Sequence, residues 1–232
     1  MTKIPPLVTP MRAALLALGI YALGASEKAF GLTINLTFDT DAVFMTAGLS
    51  TADIANMKAA CSYAALQFTN NYSDNINVNI FVTAVPGTTT LGKSSTPLDS
   101  VPDYNTLQTS LTADLATPDD ATTVGTGGSV PSGPDPISGN HTYYISRAQA
   151  KALTRRSDDF TSDGTFTFGG GFRYTYDPAN RAVPGETDFI GVAMHEFSEI
   201  MGRISLMGLN AQIPGGYMLY DLFHWIGMGS RG

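Results

Sequence analysis

Apolar and polar residues alternate through GLTINLTFDT, with Leu32, Ile34, Leu36 and Phe38 on one side, the mark of a half-buried strand. Residues 50–53 then offer helix-capping side chains. Behind them Ile54, Met57, Cys61, Ala64, Ala65 and Phe68 recur at helical spacing as far as about Asn71, which predicts a long helix with one apolar face. NINVNIFVTAV returns to a period of two through Ile76, Val78, Ile80 and Val82. Strand, long helix, strand predicts a crossover unit in an α/β or α+β sheet.

From Pro86 the chain turns rich in Thr, Ser and Gly, with a short strand expected near Leu91. Tyr104, Leu107, Leu111 and Leu115 fall on one stripe and predict a helix over 104–116. Residues 117–140 are turn chemistry throughout and read as a surface loop bordering a cleft. A strand over 142–145 and a short helix over 147–153 follow. DGTFTFGGGFRYTYD alternates aromatics about a glycine-rich centre, the pattern of a hairpin. Asp188 stands at an N-cap position, and Ile190, Val192, Ala193, Met194, Phe197, Ile200 and Met201 predict a helix over 189–201, ended by Gly202. The segment YMLYDLFHWIGMG is strongly apolar, and no internal repeat is visible.

A length of 232 residues suits one domain of moderate size, and 43% hydrophobic residues suffice for a substantial core. With 14% charged residues the chain is too poor in charge for a disordered solvating protein. The net charge of -7 argues against nucleic acid as a partner, because clustered Lys and Arg supply that affinity; only Arg155 and Arg156 adjoin. Lys3 and Arg12, the apolar run over 13–25 and the small residues of ALGAS have the layout of an export signal. The expected organisation is a signal peptide over 1–26 and one folded domain over 27–232, secreted or periplasmic, without stable membrane association after cleavage. The single cysteine, Cys61, forms no internal disulfide and reads as a core residue.

The chemistry concentrates in HEFSEIMGR, residues 195–203. On a helix His195 and Glu199 lie one turn apart, about 5–6 Å between Cβ atoms, so both side chains can converge on one ion. Glu196 is rotated by roughly 100° and would stand beside that ion, where a general base accepts a proton from metal-bound water. Zinc accepts carboxylate oxygen as well as imidazole nitrogen, and a catalytic site usually has three protein ligands. The apolar neighbours predict a buried helix, whose glutamates must be neutralised, paired or metal-bound. Arg203 and Arg173 are the alternative partners.

HEFSEIMG resembles the start of the metzincin pattern HExxHxxGxxH, with His195, Glu196, Glu199 and Gly202 on its first four specified positions. The wider run DFIGVAMHEFSEIMGR, the early TINLTF strand and the late LYDLF are similar to predicted secreted bacterial metalloproteases that carry HE[FI]SExMGR. The resemblance implies an α+β, zincin-like fold, a mixed twisted sheet backed by two long helices that include the HExx helix, with peptide substrate along an edge strand. Glu199 stands where the pattern has its second histidine, Ser205 falls on its last position, and the relatives continue beyond this carboxy terminus, so a truncated chain is expected.

A third ligand must come from elsewhere, and YDLFHW offers Asp221 and His224. The acid in the family's matching LDLF stretch favours Asp221, with His224 the alternative; Met218 is a candidate methionine beneath the metal. With His195, Glu199 and Asp221 a Zn²⁺ site would be neutral and would acidify its water less than the ~7 of three-histidine zinc. The expectation is an alkaline-shifted activity and tolerance of Mn²⁺. The leading function is a zinc-dependent endopeptidase acting on protein or peptide with Glu196 as base. The alternatives are a non-catalytic extracellular binding or adhesion domain, and a hydrolase of envelope amides or esters.

Overall fold

The structure, a computed structural model, describes residues 31–116, 118–125, 128–137, 141–207, 215–223, 225–227 and 230–231. The expected export signal and His224 lie outside the described residues. The chain begins with strand β1 (Thr33–Phe38), a short helix α1 (Asp41–Ala47), the long helix α2 (Thr51–Thr69) and strand β2 (Asn77–Val85). Strands β3 (Gly92–Ser95) and β4 (Leu98–Val101) precede helices α3 (Tyr104–Ala113) and α4 (Pro118–Thr123). Strand β5 (Thr142–Ser146), helix α5 (Arg147–Ala152), strands β6 (Gly164–Gly169), β7 (Tyr174–Thr175) and β8 (Thr187–Asp188), helix α6 (Phe189–Ile200) and strand β9 (Gly216–Met218) follow.

The principal sheet has the order β1-β2-β6-β3, the first three strands parallel and β3 antiparallel to β6. The expected crossover is therefore present, and the class is α+β with a mixed sheet. Strand β2 alternates buried and half-buried residues along its whole length, with Val78, Ile80 and Val82 fully covered. Against them lie Ile54, Met57, Cys61 and Ala64 of α2 and Ala193, Phe197 and Ile200 of α6, joined by Phe166 and Phe168 of β6. The α2 amino terminus is closed by a reciprocal capping box, in which Ser50 accepts from the Asp53 N–H and Asp53 accepts from the Ser50 N–H. Cys61 is fully buried on α2, and burial pushes its thiol pKa up, so it stays protonated and inert.

A smaller sheet of order β4-β5-β9 holds a second apolar cluster, where Val101, Leu107, Tyr143, Ile145, Leu219 and Leu222 meet. The segment over 117–140 is less irregular than its composition suggests. It contains α4 and a bridge between Val124 and Val130, and Val130 is buried in this second cluster.

One further expectation is corrected, and one element was not expected. DGTFTFGGGFRYTYD is not a hairpin: β6 has β2 on one side and β3 on the other, so neither edge is free for the aromatic segment that follows. That segment leaves the sheet, and β7 pairs in parallel with β8 instead. Helix α1 had no readable period, because only Phe44 and Ala47 of its seven residues reach the core.

The two clusters are joined by a buried cation. Lys151 of α5 donates from Nζ to Asp163 Oδ2 at 2.7 Å, to the Asn77 carbonyl at 2.9 Å and to the Asp159 carbonyl at 3.3 Å. An ammonium has three donors, and here each has an acceptor. Asp163 Oδ2 also accepts the Asn79 N–H at 2.8 Å, which fastens the loop before β6 to the start of β2.

Candidate functional site

Helix α6 lays Phe189, Ile190, Ala193, Phe197 and Ile200 on the sheet and on α2. Phe197 meets Phe166 edge-on at 5.8 Å between ring centroids, a favourable aromatic geometry. Gly202, at φ +111°, ends the helix in the left-handed region that a glycine adopts without strain. Asp188 occupies the N-cap position but makes no side-chain cap bond; its Oδ2 pairs with Arg181 Nε at 2.9 Å.

The helix is not buried all round, as its composition suggested. One strip is open to solvent and carries His195, whose side chain is 55% exposed. On that strip His195 Nε2 lies 3.1 Å from Glu199 Oε1, so the two converge as the i,i+4 spacing predicts. Glu199 Oε2 accepts from Ser94 Oγ of β3 at 2.6 Å. Arg203 binds neither glutamate; it reaches His195 Nδ1 at 3.1 Å and Ser198 Oγ at 2.7 Å. Arg173 stands by Glu186 at 3.7 Å.

Glu196 is rotated inward and is only 6% exposed, against β3. A Cβ built on Gly92 would stand 2.5 Å from Glu196 Oε1 and 2.8 Å from Val192, so a larger residue here would have to displace the Glu196 carboxylate and the Val192 methyl group. Burial pushes the Glu196 carboxyl pKa above its ordinary value, and repulsion from Glu199 adds to it; His195, the Ser94 N–H and Arg203 act the other way. A buried carboxyl with a raised pKa, beside a histidine and a second carboxylate, has the environment of a group that exchanges protons.

Among the described residues strand β3 forms an edge of the principal sheet, since its one strand neighbour there is β6. Its unpaired side has the main-chain donors and acceptors that an extended peptide needs to add as a further strand. A cleft of about 450 Å³ opens there, walled by Leu91, Gly92, Thr187, Val192, His195 and Glu196. A larger cavity of about 550 Å³ lies on the smaller sheet beside His141, whose Nδ1 is 3.3 Å from Asp135. The residues over 133–135 border it, so the long loop does line a cavity, though not the one at HEFSEIMGR.

Asp221 is in a 3-10 turn, Leu219–Phe223, and is buried. Its Oδ2 accepts the Met218 N–H at 2.7 Å and the Leu206 N–H at 3.1 Å, tying the chain after α6 to the end of β9. Its Oδ1 has no hydrogen-bond partner among the described residues. Met218 is itself fully buried. Among the described residues no three His, Cys, Asp or Glu side chains stand close enough to share an ion. The site is thus a converging pair, His195 and Glu199, with Glu196 behind it, and Asp221 is not brought to that pair.

Gly92 and Ser94 were not singled out from the sequence, although two small residues two apart on a strand mark one face open to close approach. Neither a known protein family nor a curated protein nor a solved structure matches this chain. The likeness of HEFSEIMGR to the metalloprotease motif rests on those residues alone.

Proposed function

We propose that the protein is a metal-dependent peptidase that cleaves an extended peptide laid along β3. The observation that supports this most directly is the convergence of His195 Nε2 and Glu199 Oε1 at 3.1 Å, directly beside a buried Glu196 and an open sheet edge. These two donors suit zinc, and Mn²⁺ as well given the carboxylate. The usual third protein ligand would be Asp221 or His224; Asp221 is held through Oδ2 by the amides of Leu206 and Met218, leaves Oδ1 without a partner among the described residues, and would have to be brought to the pair. When bound, such an ion supplies an acidified water and polarises the scissile carbonyl.

The protein's own groups then divide the work. Glu196 takes the proton of the attacking water and returns it to the leaving amine, a role that its raised pKa favours. Strand β3 holds the peptide by main-chain hydrogen bonds, and Gly92 keeps it within reach of Glu196. Ser94 orients Glu199 through its free oxygen. Export through the segment over 13–25 fits an extracellular peptidase; among the described residues no helix is long and apolar enough to cross a membrane.

Elemental analysis and cleavage of an unfolded protein substrate test the reading. The wild type is expected to hold about one zinc and to cleave. Glu196→Gln should keep the metal and lose about 10²–10⁴-fold in rate, and His195→Ala should lose both. A wild type without metal at neutral pH would overturn the proposal. It would favour the second reading, a non-catalytic extracellular binding domain, which the engagement of Asp221 by backbone amides supports.

A further inference from the structure

Lys151 and Asp163 form an ion pair in which neither side chain reaches solvent, and the proposed peptidase chemistry makes no use of it. Lys151 Nζ lies 2.7 Å from Asp163 Oδ2 and is held there by the Asn77 and Asp159 carbonyls, at 2.9 and 3.3 Å. Oδ2 also accepts the Asn79 N–H at 2.8 Å, whereas Oδ1 is buried with no hydrogen-bond partner among the described residues. A buried carboxylate oxygen without a donor is costly and calls for a physical reason.

A third group completes the cluster. Asp158 is fixed through Oδ2 by the main-chain and side-chain N–H groups of Asn77, at 3.1 and 2.7 Å, and its Oδ1 stands 3.7 Å from Lys151 Nζ. An amine pinned against a carboxyl group, with a second carboxylate beside it to carry protons, is an arrangement from which an amide can form.

We propose that Lys151 and Asp163 condense after folding into an intramolecular isopeptide bond. Asp158 Oδ1 takes one proton from Nζ and relays it to Asp163 Oδ1, leaving a neutral amine against a neutral acid. The Nζ lone pair attacks Asp163 Cγ, and a second proton follows by the same route. As the Nζ–Cγ bond forms the Cγ–Oδ1 bond breaks, and Oδ1 departs with both protons as one water; the third hydrogen stays on the amide nitrogen, and no oxidant or co-reactant is needed. The oxygen that leaves is the one with no hydrogen bond to lose. Oδ2 becomes the amide oxygen and keeps the Asn79 N–H, the amide N–H donates to the Asn77 carbonyl, and the Asp159 carbonyl retains the Asn79 side-chain amide at 2.8 Å. Two buried charges and their desolvation cost disappear. The cavity of about 560 Å³ that Lys151 and Asp158 line gives the water a way out. The bond ties α5 to the loop before β6 in a chain whose single cysteine forms no internal disulfide.

The test uses the full chain, denatured and digested after each Lys and Arg. In the wild type cleavage after Lys151 should be lost, and residues 148–155 and 157–173 should appear as one branched peptide, lighter by one water than the two together. Lys151→Arg, which keeps the charge without the amine, should give separate peptides. Asp158→Asn, which keeps the pair and removes the relay, should fold, as circular dichroism checks, and from fresh synthesis should form the branched peptide about 10²-fold or more slowly than the wild type. Cleavage after Lys151 in aged wild-type protein, with the two segments separate and at full mass, overturns the bond and leaves an ordinary buried ion pair. Crosslinking of Asp158→Asn at the wild-type rate overturns the part given to Asp158.

Discussion

Lys151 and Arg203 are both cations at the centre of a small polar cluster, and the two clusters behave as opposites. Around Lys151 every donor has an oxygen, and both Lys151 and Asp163 have fully buried side chains. Around Arg203 and His195 the contacts are as short, but water reaches them and no group is locked to one partner. Burial makes the first cluster a fastening, since an unpaired charge there is costly. Access to water makes the second exchangeable, since solvent can replace each of its contacts.

The comparison can be broken at four points. Lys151→Met should lower stability by about 3–5 kcal/mol, because Asp163 would be left charged and buried beside an apolar chain. Urea unfolding measures this, and a loss below about 1 kcal/mol would make the cluster no more than a surface ion pair. Gly92→Val should follow at roughly 1–3 kcal/mol from overpacking against Glu196 and Val192. It should also abolish peptide cleavage by closing the space between β3 and α6; retained cleavage would show that the peptide does not use this edge.

His195→Ala should change stability by less than about 1 kcal/mol, as for exposed pairs generally, while removing zinc binding. Parallel unfolding and metal titration of this variant and of Lys151→Met would show the two clusters separating function from fastening. The smallest effect is on pH. Glu196 has a raised pKa in the folded protein, so the native state keeps a proton that the unfolded chain releases. Its contribution is neutral below the ordinary glutamate pKa of about 4.3, and the zinc-free protein should lose stability as pH rises from there through the raised value. Urea midpoints of wild type and Glu196→Gln should diverge over this interval, the variant lacking the decline. Parallel curves would remove burial as the cause of the shift.

The sequence by itself determined the elements with long, clean periods. Strand β2 and helix α2 each have enough apolar positions for the period to be unmistakable, and the capping residues before α2 and the glycine after α6 mark their ends locally. It also determined that His195 and Glu199 face one another, because i,i+4 neighbours on a helix meet whatever the helix packs against. Short elements such as α1 and β4 offered too few buried positions to read, and an aromatic alternation looked like a hairpin until β6 proved to have both edges occupied.

Tertiary structure alone decided which side of α6 meets water. His195 and Glu196 are adjacent in sequence, yet one is exposed and the other covered by β3, and no local pattern says where that strand will lie. The same holds for Asp221, drawn to the amides of Leu206 and Met218 by the way the chain after α6 folds back. Arg203 was legible as a partner for α6, but its choice of Nδ1 over a glutamate depended on Ser198 and Ser94 having already engaged the other groups. Period and spacing are properties of one helix or strand; burial, proton position and the choice among partners depend on what other parts of the chain bring beside it.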